Sequence, residues 1–350
     1  MNKKLIPAMA LGMLSVLASC GTSSKAADVF IYQYSDTYIG TVRSALKTDL
    51  EAKGVTPTFY DGGGVSATQV QQIESAIAAK SKLLIPNLVE QTATGDSIAE
   101  KAKTAGIPAI FFNREVPDSA VTSTTYPDNC FVGTDPDQAG YMQGDILAEA
   151  LISGTSLVSK WDKNGDGKIN YIMLRADESN AEANGRTLYS VQECNTKLTA
   201  AGLTSLNHLG ADFNAGWSKD NAKTAMDNFI STFGFTGDNA IEAVIANNDD
   251  MALGAIASLV TAGYNIANGT DASKTILVVG VDATEAGKAA IDANQMYGTV
   301  KQDANAMAAC IASLADNKLS GKDFLDGTDY AWESATVHKI RIPYGKYVKA

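Results

Sequence analysis

The chain has 350 residues and carries 39 Asp+Glu against 28 Lys+Arg, a formal net charge of −11 at pH 7. No basic cluster interrupts this acidic balance, which argues against nucleic-acid binding and against attraction to an anionic membrane surface. The length beyond the leader described next is enough for two domains of common size.

The chain opens on that leader. Lys3 and Lys4 make a basic start, Leu5 to Ala18 is almost wholly apolar, and Ser19-Cys20 ends the run. This is the pattern of a secretory signal, too short and wrongly flanked for a membrane span. Leu17-Ala18-Ser19-Cys20 matches the bacterial lipoprotein motif, in which cleavage precedes a Cys that becomes lipidated. Residues 1–19 are therefore expected as signal peptide and residues 20–26 as a tether lipidated at Cys20, with several acyl chains giving stable anchoring. The alternative is an ordinary cut near Ala26-Ala27 that discards Cys20. The mature protein is expected to be periplasmic or at the cell surface. Cys130, Cys194 and Cys310 have no metal or redox spacing and are expected as buried free thiols.

From Ala27 strands and helices alternate. Val29 to Tyr32 reads as a strand, followed by the polar turn Ser35-Asp36-Thr37 and a helix from about Ile39 to Ala52. Thr58 to Tyr60 is the next strand, then a helix near Ala67 to Lys80, the strand Leu83 to Ile85, and a helix near Ile98 to Ala105. Ala109 to Phe112 ends in Asn113, and Phe131 to Gly133 closes the first half. The second half repeats the rhythm: a helix over Gln138 to Leu151, the strand Tyr171 to Leu174, a helix over Ala181 to Ala201, a strand candidate at Thr204 to Leu209, and a helix over Ser218 to Phe233. Ala243 to Ala246 then forms a buried strand, Asn247 to Asp250 a polar turn, and a helical pattern begins at Met251. Ile276 to Val279 leads to Asp282. Short apolar strands alternating with helices imply doubly wound parallel sheets, here as two α/β lobes with a cleft between them.

Polar residues end several strands: Asp36, Asn113, Asn248 and Asp282. In open α/β sheets a ligand sits outside the carboxyl ends of the strands. Asp and Asn also cap helices there. Four such residues, with Arg186 and Trp217 at the starts of other helices, describe a polar cleft with aromatic walls.

Asp162-Lys163-Asn164-Gly165-Asp166-Gly167-Lys168-Ile169-Asn170 matches the first nine positions of an EF-hand loop. Asp162, Asn164, Asp166 and Asn170 offer side-chain oxygens, Lys168 its backbone carbonyl, and Gly167 the sharp turn. Position twelve is Met173, inside a strand, so the bidentate carboxylate must come from elsewhere or the loop is a plain turn. With a strand following instead of a second EF-hand helix, a static structural Ca2+ is expected and not a sensor.

Together with Ile31 to Asp36, Phe111 to Glu115, Val132 to Asp135, Val244 to Asp249, Val281 to Ala283 and Gly298 to Val300, these motifs make the chain similar to the bacterial periplasmic galactose/glucose-binding proteins over Ala27 to about Tyr347. These are the substrate receptors of ABC sugar importers and of chemotaxis. The ribose-type binders and sugar-sensing repressors share the fold but lack the calcium loop. The resemblance implies a type I periplasmic binding protein with two doubly wound parallel-sheet lobes and a three-segment hinge, crossed near Val132–Asp135, Gln302–Asn305 and Ala335–His338. The implied lobes are 27–134 plus 303–336 and 135–302 plus 337–350, in a protein expected to be a monomer. It also implies a hexose held between Tyr38 and Trp217, with hydrogen bonds from Asp36, Asn113, Arg186, Asn248 and Asp282. Glu242 matches the family's missing calcium carboxylate. Asn180, Glu182 and Gln302 stand where the family commonly has His, Asp and Asn, which leaves the choice of hexose, or of another sugar, open. The partners implied are a membrane permease and a chemoreceptor.

On the strand preceding Asn248, Glu242 lies six residues away, about 20 Å if fully extended, which divides a metal end from a ligand end. A sugar-active enzyme is the competing class. His208 and His338 both read as structural or surface residues, one of the pair Asp249-Asp250 is expected to cap a helix, and Gly62-Gly63-Gly64 lacks the Lys and Ser/Thr of a phosphate loop. A non-enzymatic receptor is therefore expected.

Overall fold

The computed structural model describes residues 25–349. The signal segment, Cys20 and residues 21–24 of the tether lie outside them. Folded structure begins two residues earlier than expected: β1 (Lys25–Ile31) pairs in parallel with β2 (Val55–Asp61), Lys25 opposite Val55, and Lys25 forms an ion pair with Asp316. Lys25 and Ala26 thus belong to the lobe and not to the tether.

The first lobe continues through α1 (Thr37–Ala52) between those strands, then α2 (Ser66–Ala78), β3 (Leu84–Pro86), α3 (Gln91–Ala105), β4 (Ala109–Phe112) and β5 (Asn129–Gly133). The chain crosses to the second lobe with α4 (Pro136–Leu151), the short hairpin β6 (Ile152–Ser153) and β7 (Ser156–Leu157), β8 (Asn170–Arg175) and α5 (Ala181–Ala200). There follow β9 (Asn207–His208), β10 (Phe213–Asn214), α6 (Lys219–Phe233), β11 (Ala243–Ala246), α7 (Asp249–Thr261), β12 (Leu277–Asp282), α8 (Glu285–Asp292) and β13 (Gly298–Lys301). α9 (Ala304–Leu319) and β14 (Lys339–Arg341) return to the first lobe, and β15 (Gly345–Val348) ends in the second. The first sheet runs β14-β5-β4-β3-β1-β2 and is wholly parallel; the second runs β10-β8-β11-β12-β13-β15 with only β15 antiparallel.

The strands are apolar on both faces because helices cover both. In β4, Ile110 and Phe112 face the layer of α1 and α9, while Ala109 and Phe111 face α2 and α3. In β11, Val244 and Ala246 pack against α6 and α7, while Ala243 and Ile245 pack toward α4 and α5. That two-residue alternation with no polar face is the signature of a doubly covered parallel sheet. Cys130, Cys194 and Cys310 are free thiols inside these layers.

Three expectations change. α3 starts at Gln91, seven residues before the expected Ile98; its first turns do not read as helix in the sequence because Gln91 to Ser97 shows little apolar periodicity, although Gly95 packs against Pro117. The strand expected over Thr204 to Leu209 shrinks to Asn207 and His208 on the edge of β8. The third crossing falls at 342–344 and not at Ala335–His338, since Lys339 to Arg341 pair in parallel with β5 of the first sheet. The span 337–350 is therefore divided between the lobes.

Candidate functional site

The strand ends and helix starts of both lobes converge on one small cavity between them. Its lining includes all ten residues expected at a ligand site: Asp36, Tyr38, Asn113, Asn180, Glu182, Arg186, Trp217, Asn248, Asp282 and Gln302. Tyr32, Ile39 and Arg114 also line it and were not singled out from the sequence. The signal for two of them was there, since Tyr32 ends a strand as Asn113 does, and Arg114 follows Asn113 directly.

Capping and cavity lining turn out to be done by the same side chains. Asp36 Oδ1 accepts from Ile39 N at 2.7 Å, Asn180 Oδ1 from Ala183 N at 2.8 Å, and Asn248 Oδ1 from Met251 N at 2.9 Å. Each cap satisfies one helix N-terminal amide and fixes the rest of the side chain toward the cavity. The amide nitrogens of Asn180 and Asn248 are thereby turned to donate. Asn113 has its Oδ1 occupied by Asn87 Nδ2 at 3.2 Å, so it too presents an amide donor. The expected cap from Asp249 or Asp250 is instead Asn248. Asp249 is buried and accepts from the Thr299 hydroxyl, the Thr284 amide and the Thr284 hydroxyl at 2.6, 2.7 and 3.0 Å. Asp250 accepts from the Thr37 hydroxyl of the other lobe at 2.6 Å.

Arg186 is held on every side. It donates to Asn247 O at 2.9 Å, to Gln302 Oε1 at 3.1 Å and to the Tyr344 hydroxyl at 3.1 Å, and it lies 3.9 Å from Asp282. Burial disfavours its charge, but Tyr344 and Asp282 outweigh that and keep it protonated. Burial raises the carboxyls of Asp36 and Glu182 above their usual range and Asp282 well above it, with Arg186 opposing the last. Tyr344 comes from the third crossing, and its hydroxyl also accepts from Thr134 Oγ1 of the first crossing at 2.8 Å.

Polar atoms without partners gather here. Tyr38 Oη, Glu182 Oε2, Arg186 Nε, Trp217 Nε1 and Gln302 Nε2 are buried and make no hydrogen bond within the protein. A buried polar group left unpaired costs about 1–3 kcal/mol, so five around one cavity mark a place built to be completed by a ligand. The backbone carries further cost: Asn113 and Trp217 both have φ of 63° and Asp282 has φ of 120°. Such strain in residues with side chains clusters at functional sites. The lobes meet across the cavity mouth, where Gln91 Nε2 donates to Ser179 O at 3.1 Å and Glu115 N to Glu182 Oε1 at 3.0 Å.

A second polar cluster lies at the far end of β11. Glu242 is fully buried, and its carboxylate accepts from Lys163 N at 2.6 Å, Asn164 N at 3.4 Å and Asn170 N at 2.8 Å. Asp162 accepts from Gly165 N and Gly167 N at 2.8 and 3.0 Å, Asn164 from Asp166 N at 3.1 Å, and Asp166 from Lys168 N at 2.9 Å. Among the described residues no three His, Cys, Asp or Glu side chains are grouped so as to hold a metal ion. The donor chemistry nevertheless fits a hard cation at Asp162 and Asp166, where each carboxylate oxygen takes at most one of these amides and keeps a lone pair free, whereas Glu242 Oε1 already takes two. Asn170 fits least well: its Oδ1 accepts from Asn207 Nδ2 at 2.6 Å and its amide donates to Asp238 O and Ala240 O.

The comparisons with known proteins agree with this architecture. Residues 27–323 match the model of the periplasmic binding protein domain. The chain belongs to the periplasmic binding protein family. The D-galactose/methyl-galactoside binding periplasmic protein of Haemophilus influenzae is 31% identical over 340 residues, covering 96% of this chain and 93% of that one. The xylitol-binding protein of Mycolicibacterium smegmatis is 24% identical over 333 residues, covering 93% and 83%. A solved solute-binding protein of an ABC transporter from Bacillus halodurans, with bound myo-inositol, superposes with a TM-score of 0.68 at 24% identity over 93% of this chain and 94% of that one. Members of the periplasmic binding protein family are substrate receptors, and this chain is a receptor and not an enzyme.

Proposed function

We propose that this periplasmic sugar receptor of an ABC importer takes D-glucose or D-galactose, closes its lobes over the ring and delivers it to the permease. The observation that carries the reading is the set of five unpartnered buried polar atoms around one cavity. They are interleaved with carboxylates and amide donors, as a ligand with many hydroxyls requires, since each hydroxyl both donates and accepts. Tyr38 and Trp217 supply broad apolar surfaces for the C–H faces of the ring. Asp36, Asn113, Asn180, Glu182, Arg186, Asn248, Asp282 and Gln302 would share its hydroxyls, and hydrogen bonds to charged groups are the stronger ones in such an enclosed space. Closure follows because neither lobe alone can satisfy the ligand.

A second reading keeps the class and changes the sugar. Asn180 and Glu182 depart from the pattern of the galactose/glucose-binding proteins, and relatives are named for sugars as different as galactose and xylitol. Calorimetric titration of the chain from Lys25 onward with glucose, galactose, ribose and xylose separates the two. Hexose binding well below millimolar supports the first reading; tight binding of a pentose alone replaces it with the second.

The same proposal includes a structural Ca2+ held by Asp162, Asn164, Asp166, the Lys168 carbonyl, Asn170 and Glu242, lipidation at Cys20, and docking to a chemoreceptor as well as the permease. The ion would neutralise the carboxylates of the loop and brace the base of β11. A native-state ion must raise the melting temperature, so a chelator should lower it, and an unchanged melting temperature would remove the metal from the proposal.

A further inference from the structure

The carboxylate of Glu182 is divided between two tasks. It sits on the first turn of α5 in the second lobe, 4% exposed. Its Oε1 accepts from Glu115 N of the first lobe at 3.0 Å, while its Oε2 is buried at the cavity without a partner. The donor is itself held rigidly. Glu115 follows β4, and its side chain takes a bidentate pair from Arg341 at 2.6 and 2.9 Å and a contact from Lys339 Nζ at 2.5 Å, both on β14. Arg341 also donates to Thr134 O at 2.8 Å, in the first crossing. The amide that Glu182 meets is therefore fixed to the hinge strand and not to a loose loop.

We propose that Glu182 is the latch that couples ligand to closure: one oxygen clamps the opposite lobe and the clamp aims the other oxygen at a ligand hydroxyl. The inference rests on the sugar-receptor reading for its ligand half and on the Glu182–Glu115 contact alone for its lobe half. In the open receptor the carboxylate has no amide across the cleft, and both oxygens are free to rotate in water. On closure one oxygen is taken, and the rotamer that takes it presents the second to the cavity. Asn180, whose oxygen is spent on its cap, offers an amide donor at the same end. That end thus offers one acceptor and one donor, enough for a single hydroxyl that gives its proton to Glu182 and accepts from Asn180. Side-chain length decides whether the latch reaches: an Asp is one methylene shorter and cannot serve both sides from the same backbone position. Gln keeps the length and an oxygen for the Glu115 amide, but turns the cavity-facing acceptor into a donor.

The test compares wild type with Glu182→Asp and Glu182→Gln. Distances between spin labels, one on the exposed surface of each lobe, report the closed fraction with and without sugar; stopped-flow reports dissociation. Glu182→Asp is expected to lower the closed fraction even without ligand and to speed dissociation about tenfold or more, with association little changed, as a lost closing contact acts on the off-rate. Glu182→Gln is expected to close like wild type at saturating ligand while its preference among epimeric sugars shifts. Closure by Glu182→Asp equal to wild type in both states overturns the latch, as does failure of Glu182→Gln to close. Wild type that binds no monosaccharide, with a ligand-free closed fraction still reduced in Glu182→Asp, instead removes the sugar reading and keeps the latch.

Discussion

At the scale of single residues, ligand presentation and helix capping are one arrangement. Asp36, Asn180 and Asn248 each give one oxygen to a helix N-terminus, which holds the remainder of the side chain at the cavity. Tyr38 shows what is left for the ligand. Its hydroxyl is buried beside Asp282 and Tyr344 and has no partner. Tyr38→Phe keeps the stacking face and removes only that hydroxyl, so sugar affinity should fall about fivefold, the worth of one hydrogen bond of ~1 kcal/mol; calorimetry reads it. Asp249 gives a pH prediction. Burial raises its carboxyl to about 6, against hydrogen bonds from Thr299 and Thr284 that oppose the rise. The folded chain then holds this proton more tightly than the unfolded chain, whose Asp titrates near ~3.9. Stability from this group is full below the unfolded value and is lost as pH rises toward about 6. The Asp249→Asn variant should therefore show a flatter melting temperature between pH 4 and pH 6 than wild type, scanned without ligand.

At the scale of elements, β11 has a different chemistry at each end. Glu242 anchors the loop at its base, and Asn248 caps α7 at its mouth. The strand itself is Ala243–Ala246, and the two residues flank it. On the proposed calcium and hexose reading, Glu242→Gln should reduce calcium affinity and the melting temperature while the ratio of glucose to galactose affinity stays constant; equal loss of discrimination would show the two ends to be coupled. Glycine carries a separate lesson. α4 and α5 approach so closely that a Cβ on Gly140 would stand 2.3 Å from Gly185 O, and one on Gly185 2.4 Å from Pro136 O. Gly140→Ala gains about 1 kcal/mol of helix propensity but overpacks this contact by about 1–3 kcal/mol. A net loss is expected in chemical denaturation, with sugar affinity unchanged at temperatures where the variant is folded.

The sequence was most legible where local pattern and burial agree. The apolar strands, the polar residues ending them and two helix starts are written in short stretches, and those stretches named six of the thirteen residues around the cavity, while Tyr38, Asn180, Glu182 and Gln302 came only from the family resemblance. What stayed hidden depends on residues far apart in the chain. Tyr344 reaches Arg186 across 158 positions, and Glu182 reaches Glu115 across 67. The division of 337–350 between lobes was equally invisible, because an alternating apolar run such as Val337 to Ile342 fits either sheet and only pairing with β5 decides.

At the scale of the whole molecule, the two lobes share three crossings, and hydrogen bonds join them beside the cavity. Thr37 to Asp250, Gln91 to Ser179 and Glu115 to Glu182 are few polar contacts, readily exchanged for water when the lobes part. Arg186 is placed to sense that motion, since Gln302 of the second crossing and Tyr344 of the third both hold it, and Tyr344 in turn holds Thr134 of the first. Tyr344→Phe should leave the fold intact and weaken sugar binding several-fold by freeing the Arg186 guanidinium; an unchanged affinity would show that Arg186 needs no support from the hinge.

The last strands carry one more consequence. β14 closes the edge of the first sheet and β15 the edge of the second, only a few residues apart. Neither sheet has its full set of strands until residues 339–348 have been made. Order of synthesis therefore does not become order of completion: the first sheet, most of whose strands precede those of the second, gains its last strand only with residues 339–341, and both sheets are finished by the same short piece of polypeptide. A ribosome-bound chain lacking that piece should be protease-sensitive in both lobes, and adding the missing segment should protect both together.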